Sequence, residues 1–109
     1  MAFYLIQVAY RDTAAKSLVI HPQTREDAIS KTCRSLGGNL HSFFFAFGEY
    51  DVVAIVELPD NAAAAALALG IGSKGVVSKF HTTVLLTAAE GLEAMRKAQK
   101  IDYAPPVMG

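Results

Sequence analysis

The sequence predicts an α+β domain in which helices cover one face of a four-stranded antiparallel sheet. Three observations predict it: four apolar segments with strand character, helical segments between them, and a further helical segment after the last strand. These elements follow one another in the order βαββαβ, which is the split βαβ arrangement of ferredoxin-like domains. We therefore expect a ferredoxin-like sandwich with an extra C-terminal helix.

The chain length, the charge balance and the cysteine count restrict the class of protein. A chain of 109 residues suits one domain, and its 10 basic and 10 acidic side chains leave a net charge of +0. That balance argues against a nucleic-acid partner. The single cysteine, Cys33, excludes an intramolecular disulfide and favours a reducing compartment. The first segment lacks the features of a signal peptide and no apolar run is long enough to span a bilayer, so we expect a cytoplasmic protein without a membrane partner.

The first half of the chain predicts a central strand and an interrupted helix. Residues 3–10, FYLIQVAY, are apolar on both alternating faces, which is typical of a strand buried on both sides. The helical segment 13–38 is broken at Pro22. After the break, Thr24 with an acid three residues later resembles a capping box, and Gly37-Gly38 ends the segment.

A hairpin follows, with strands predicted over residues 39–47 and 51–58. One face of the second strand is wholly apolar and should lie under the helices; it comprises Val52, Ala54, Val56 and Leu58. The other face is apolar in its middle and charged at both ends. In the predicted fold the first and third strands are central, which agrees with their apolar character on both faces.

The second half predicts a helix, a strand and a helix. Asp60 is the expected N-cap of an alanine-rich helix. The fourth strand is predicted over residues 76–86, with one apolar face formed by Val76, Phe80, Val84 and Leu86. Thr87 and Glu90 form a capping box for the last helix. The domain is expected to span residues 1–99, and residues 100–109 to form a tail or arm.

Several segments resemble a known family. MAFYLIQVAY, LGG at 36–38, FAFGEYDVVAIVELPDN at 45–61 and TTVLLTAAEGLEAMRKA at 82–98 are similar to the GYD domain family, over residues 2–98. The hairpin motif at Gly48, Tyr50 and Asp51 is the most specific part. The resemblance implies a ferredoxin-like sandwich of the broad kind that assembles as dimeric α+β barrels or as trimers. It supplies no agreed activity and no catalytic residues to carry over, and no cofactor is predicted.

The turn of the hairpin, residues 48–51 with the sequence GEYD, has two interpretations. In the first, Gly48 and Asp51 are turn residues, Asp51 binds backbone amides and Tyr50 packs. In the second, Glu49, Tyr50 and Asp51 line a cleft that binds a ligand. There Asp51 could act as a general base if burial raises its pKa.

The fourth strand adds two candidates. Lys79 and His81 lie two residues apart, so they point the same way, towards the predicted helix-free face that Asp51 also faces. Asp51 and His81 could form a catalytic acid–base pair, with Lys79 holding an anionic substrate. The alternative is that the polar residues only protect an edge strand from wrong pairing.

Two further cations are candidate ligand-binding residues. Arg25, beside a helix start, could bind a carboxylate or phosphate, or be a solvated surface charge. Lys74 lies in GIGSKG, residues 70–75, which matches a dinucleotide motif but has a helix before it and a strand after it, the reverse of what that site needs. A flexible anion-binding loop remains. The histidines lack metal-ligand spacing, so no metal is predicted.

Three functions remain open. We expect a homo-oligomeric small-molecule-binding protein, regulatory in role, with its pocket at or near the sheet face and a small anionic ligand. The first alternative is a cofactor-independent enzyme of the dimeric-barrel kind, an isomerase or monooxygenase. The second is a structural assembly module. Self-association, as a dimer, trimer or higher oligomer, is expected because Leu5, Val53 and Ile55 lie on the helix-free face.

Overall fold

The structure, a computed structural model, describes residues 1–107 and confirms the predicted α+β, ferredoxin-like class. Both helices expected from the interrupted first segment form, on either side of Pro22. The elements in chain order are β1 Ala2–Tyr10, α1 Asp12–Ile20, α2 Glu26–Ser35, β2 Asn39–Phe45, β3 Val52–Leu58, α3 Asn61–Gly72, β4 Val77–Leu85 and α4 Ala88–Ala98.

The sheet has the strand order β2-β3-β1-β4, and all its neighbours are antiparallel. The prediction that the first and third strands are central is therefore confirmed. The pairing of Ile6 with Ala54 and of Val8 with Val52 puts the even-numbered residues of both strands on one face. These residues are buried under the helices, whereas their odd-numbered neighbours form a helix-free face that we call the open face.

The core lies between the sheet and helices α2 and α3. Val56, Leu58 and Cys33 are completely buried in it. Tyr4 is also buried in the core, and its hydroxyl donates a hydrogen bond to Asn61 Oδ1 at 2.7 Å. Burial raises the pKa of the Tyr4 phenol. The core is thus apolar and, for Tyr4, hydrogen-bonded, as a buried phenol requires.

The corner between α2 and β2 depends on two glycines. Gly37 has a φ of +84°, a left-handed conformation that favours glycine after a helix. Gly38 is buried against β3, and a Cβ atom there would lie 2.0 Å from the backbone oxygen of Glu57. A side chain at this position would therefore force the two backbones apart.

The start of α2 differs from the prediction. The N-cap is Arg25, in a left-handed conformation with a φ of 63° and without a side-chain cap, so the predicted Thr24 cap is wrong. With Arg25 as N-cap, the residue three positions later is Ala28, which has no carboxylate to complete a capping box. The Arg25 guanidinium donates instead to Gln23 Oε1 at 3.0 Å.

Two irregularities interrupt the strand pairing. The register of β1 and β4 shifts between Ala9 and Tyr10, where Tyr10 pairs with Val77 and Ser78 is skipped. Val77, rather than the predicted Val76, is therefore buried under the helices. A second shift between Leu40 and Ser42 makes a bulge at His41 in the outer strand β2.

The other predicted caps are confirmed. The Asp60 carboxylate accepts from the Ala63 amide at 2.9 Å. Thr87 forms both bonds of a capping box, at 3.0 and 3.1 Å. The helix it caps, α4, has no buried residue and leaves Leu92 and Met95 exposed. Residues 101–107 after it are irregular and exposed, and residues 108 and 109 of the predicted tail lie outside the described residues.

Candidate functional site

The candidate residues from the sequence separate onto opposite sides of the sheet. Arg25 and Lys74 line a cavity on the helix-covered side. Lys79 and His81 alternate with the inward-facing Phe80 and lie on the open face, where the turn residues Glu49 and Tyr50 meet them. The candidates therefore lie in two regions, which we describe in turn.

The cavity lies between α2, α3 and the sheet, and its volume is about 410 Å³. Its floor is formed by β1 and β3, and its walls by the facing sides of the two helices. Small residues of α3, such as Ala66 and Gly70, leave the space unfilled. The apolar side chains that line it include Val8, Ile29, Phe43, Val52, Leu67 and Ile71.

Polar groups gather around the cavity at one end of the molecule. Tyr10 ends β1, Arg25 begins α2 and Lys74 follows α3, so three separate elements bring them to the same end. Burial is the main cause that raises the pKa of the Tyr10 phenol. The nearby Arg25 guanidinium counteracts this, and the Asp51 carboxylate adds to it. The two charged side chains that line the cavity, Arg25 and Lys74, are both positive.

The side chain and the backbone of Asp51 both form hydrogen bonds that hold the sheet together. Its carboxylate accepts from the Tyr10 amide at 2.8 Å, and its own amide donates to Val8 O at 2.7 Å. These bonds extend the contact of β1 and β3 beyond the last strand pair. This geometry is the first of the two interpretations of the turn, in which Asp51 binds backbone amides.

The open face has a polar cluster at this same end. Lys79 Nζ lies 3.6 Å from Glu49 Oε1, and both side chains are exposed. The rings of Tyr50 and His81 meet edge to face, with centroids 6.5 Å apart. The turn thus reaches across β1 to β4, and Ala9 beneath it is buried although it is on the open face.

The other end of the open face is also polar. His41 Nε2 lies 3.0 Å from Glu57 Oε1, and its ring meets Phe3 edge to face at 5.1 Å. Between the two polar ends the face is apolar, because Leu5 pairs with Ile55 and Phe44 with Val53. Phe44 is 65% exposed, so a large part of this apolar surface is in contact with water.

The two residues of the predicted catalytic pair, Asp51 and His81, have other partners. Within residues 1–107 no hydrogen bond or ion pair joins Asp51 to His81, since the carboxylate is held by the Tyr10 amide and the imidazole faces Tyr50. The same part of the chain has no group of three or more His, Cys, Asp and Glu side chains that could hold a metal ion. A catalytic role for the two residues stays a prediction.

Sequence reasoning missed Tyr10 as a site residue. The signal was present: Tyr10 has the same parity in β1 as Tyr4, Ile6 and Val8, and alternation puts it on their side of the sheet. The cavity itself had only an indirect signal, the alanine-rich composition of α3, because small side chains leave space when a helix is held above a sheet.

The fold and these two regions define a small ferredoxin-like domain with a cavity under its helices and a GEYD turn across its open face. The family model of the GYD domain matches residues 4–95, so the chain belongs to the GYD domain family. This confirms the resemblance drawn from the sequence. No curated protein matches the chain. No helix within residues 1–107 has both the length and the apolar character needed to cross a membrane.

Proposed function

We propose that this protein binds a small anionic molecule and acts as a homo-oligomer. The cavity between α2 and α3 is the observation that supports binding. Its volume of about 410 Å³ falls within the range of ligand sites, roughly 300–1,000 Å³. An apolar lining with a few polar groups is also the usual composition of such sites. The proposal places the ligand on the helix-covered side rather than on the open face.

The positive lining residues support an anionic ligand. Arg25 and Lys74 come from different elements and border the same space. A guanidinium binds a carboxylate in two parallel hydrogen bonds, and an ammonium adds a further donor. Arg25 is only half-buried and Lys74 is exposed, so both are accessible to a ligand that enters from this end.

The open face supports self-association. Leu5, Val53 and Ile55 are half-buried in one chain, and Phe44 is mostly exposed beside them. A contiguous apolar patch on a sheet is unfavourable in water, and a second copy facing it would remove both patches from water at once. A two-fold arrangement of identical surfaces is the commonest closed assembly, so we propose a dimer. We also propose a cytoplasmic location, since the one thiol, Cys33, is free and completely buried.

Native mass spectrometry of the protein purified from its own host tests both parts. We expect a dimer that retains an added mass in each subunit. An oligomer without added mass, even with excess probe ligands, would favour an assembly module over a binding protein. A monomer at micromolar concentration would contradict the proposed role of the open face.

Matched variants localise the two surfaces. Ala66→Trp fills the cavity, whereas Ala65→Trp adds the same side chain to an exposed position of α3 outside the lining. Only the first should lose the retained mass. Val53→Glu puts a charge on the open face, and Val19→Glu makes the same change on the exposed side of α1. Only Val53→Glu should produce monomers. Equal behaviour within either pair would refute the corresponding assignment.

A further inference from the structure

We infer that the ligand of the cavity is a monocarboxylate with an unbranched apolar chain, its head group bound by Arg25 and Lys74 and its chain lying along β1. This inference rests on the proposed function and specifies the ligand. It depends on three observations: the shape of the space beyond the cavity, the balance of charge at its polar end, and the conformation of Arg25.

The space continues from the cavity into the core. A second void of about 30 Å³ lies beneath it and has an entirely apolar lining. Both spaces are bordered by the same six side chains, Val8, Ile29, Phe43, Val52, Leu67 and Ile71, so they adjoin. The smaller void reaches Ile6 and Phe80 in the middle of the sheet. A space that narrows in this way fits a single chain better than a ring system.

The length of the space suits a medium-length alkyl chain. Tyr10 borders the cavity at its polar end, and Ile6 borders the inner void. Four residues of β-strand separate them, about 13 Å. The side chains along this path offer no polar atom in their inner part, since the lining of the inner void is wholly apolar. A sugar or nucleotide would leave its hydroxyl groups without partners there, which is unfavourable.

The charges at the polar end favour a single negative charge on the ligand. Arg25 and Lys74 contribute two positive charges to the lining. The Asp51 carboxylate accepts from the Tyr10 amide at 2.8 Å, so one negative charge lies beside Tyr10 at this same end. A net charge of one positive unit complements a carboxylate, whereas the dianion of a phosphate ester would leave one charge unmatched.

The backbone of Arg25 supports a role in binding. Within residues 1–107, it is the one non-glycine residue with a positive φ. A left-handed arginine is strained, and such strain is found mostly at functional positions. The conformation places a guanidinium beside Tyr10 at the cavity, where an asparagine or glycine would satisfy the backbone without providing a charge.

Isothermal titration of the whole protein with decanoate, decanol, hexanoate and ribose 5-phosphate tests the inference. We expect decanoate to bind most tightly. Decanol should bind at least about tenfold more weakly because it lacks the charge. Ribose 5-phosphate should not bind. Arg25→Gln should weaken decanoate by a similar factor and leave decanol unchanged. Ala66→Trp should abolish decanoate binding because it fills the cavity. Since the exposed apolar surfaces are unchanged in this variant, that loss would exclude adsorption to them.

The inner void has its own test. Ala54 lines it, so Ala54→Val should weaken decanoate more than hexanoate, and the ratio of the two affinities within one variant is independent of its stability. Equal binding of decanoate and decanol, or an unchanged ratio in Ala54→Val, would overturn the inference. Binding of ribose 5-phosphate in place of decanoate would overturn it while the proposed function stands. If none of the four probes binds and no mass is retained from the host, the proposed function fails as well.

Discussion

The substitution Gly38→Ala tests the close contact between the α2–β2 corner and β3. The added Cβ would lie 2.0 Å from the Glu57 oxygen and 2.8 Å from a methyl carbon of Leu58. Real Cβ atoms do not approach other heavy atoms this closely, so about 1 Å of separation must be gained. The atom nearest to the new Cβ belongs to the backbone of a central strand, which cannot turn away as a flexible side chain could.

The cost follows from the size of that shift. Forcing an extra carbon into a well-packed region costs about 1–3 kcal/mol, and we take about 2 kcal/mol for the displacement of this strand. A loss of about 2 kcal/mol lowers the melting temperature of a domain of this size by roughly 10 °C. We therefore expect the variant to fold and to melt about 10 °C below the wild type.

Thermal unfolding followed by circular dichroism measures the effect, with Gly70→Ala as the matched control. Gly70 lies within α3, and a Cβ atom there meets nothing within 4 Å. Alanine favours a helix over glycine by about 1 kcal/mol, so the control should melt at or above the wild-type temperature. If Gly38→Ala melts together with the wild type, the close approach of the two backbones is wrong.

Four other predictions concern hydrogen bonds, ionisation and a helix cap. Tyr4→Phe removes the bond to Asn61 and should cost about 1 kcal/mol in urea unfolding. Burial raises the pKa of the phenols of Tyr4 and Tyr10, so their contribution to stability is complete below their ordinary pKa of 10.0 and is lost as the pH rises above it. Asp51→Asn weakens the acceptor of the Tyr10 amide and should cost about 1–2 kcal/mol in the same assay. Thr87→Ala removes a cap, so amide exchange in α4 should accelerate while the sheet is unaffected.

Each of these has a contrary result. Equal stability of Tyr4→Phe and wild type would mean that the Asn61 contact is not formed in solution. Stability that does not fall above pH 10 would contradict the burial of the phenols. If Asp51→Asn leaves the stability unchanged, the structural role of the Asp51 carboxylate is wrong, and Asp51 is again a candidate for ligand binding or catalysis. Loss of sheet protection in Thr87→Ala would show that α4 packs against the rest of the chain.

The architecture was predictable because hydrophobic periodicity reports burial directly. β1 and β3 are apolar on both faces, which favours central over outer positions in a sheet. The caps at Asp60 and Thr87 were predictable because they depend on residues three positions apart in the chain. Local signals of this kind need no knowledge of distant partners.

The features that the sequence did not predict depend on contacts between residues that are distant in the chain. The bulge that buries Val77 instead of Val76 arises from the pairing of β4 with Tyr10, which neither segment reveals alone. Arg25 is the N-cap of α2 and has a left-handed conformation, which no residue pattern in the sequence predicts. The cavity is space left between α2 and α3, and its extent depends on how the helices are held above the sheet. Arg25 and Lys74 were predicted as ligand-binding residues, but their common location was not.

The bulge at His41 has a consequence for solubility. β2 is an outer strand, and Phe44, Phe45 and Phe47 at its end are exposed. A regular edge of this composition would pair with the edge of another copy and extend into aggregates. The extra residue disrupts the regular ladder and increases the local twist, so a second strand cannot align along the whole length of β2. Shortening the strand by this one residue would leave the buried side chains in place and expose the chain to edge-to-edge aggregation.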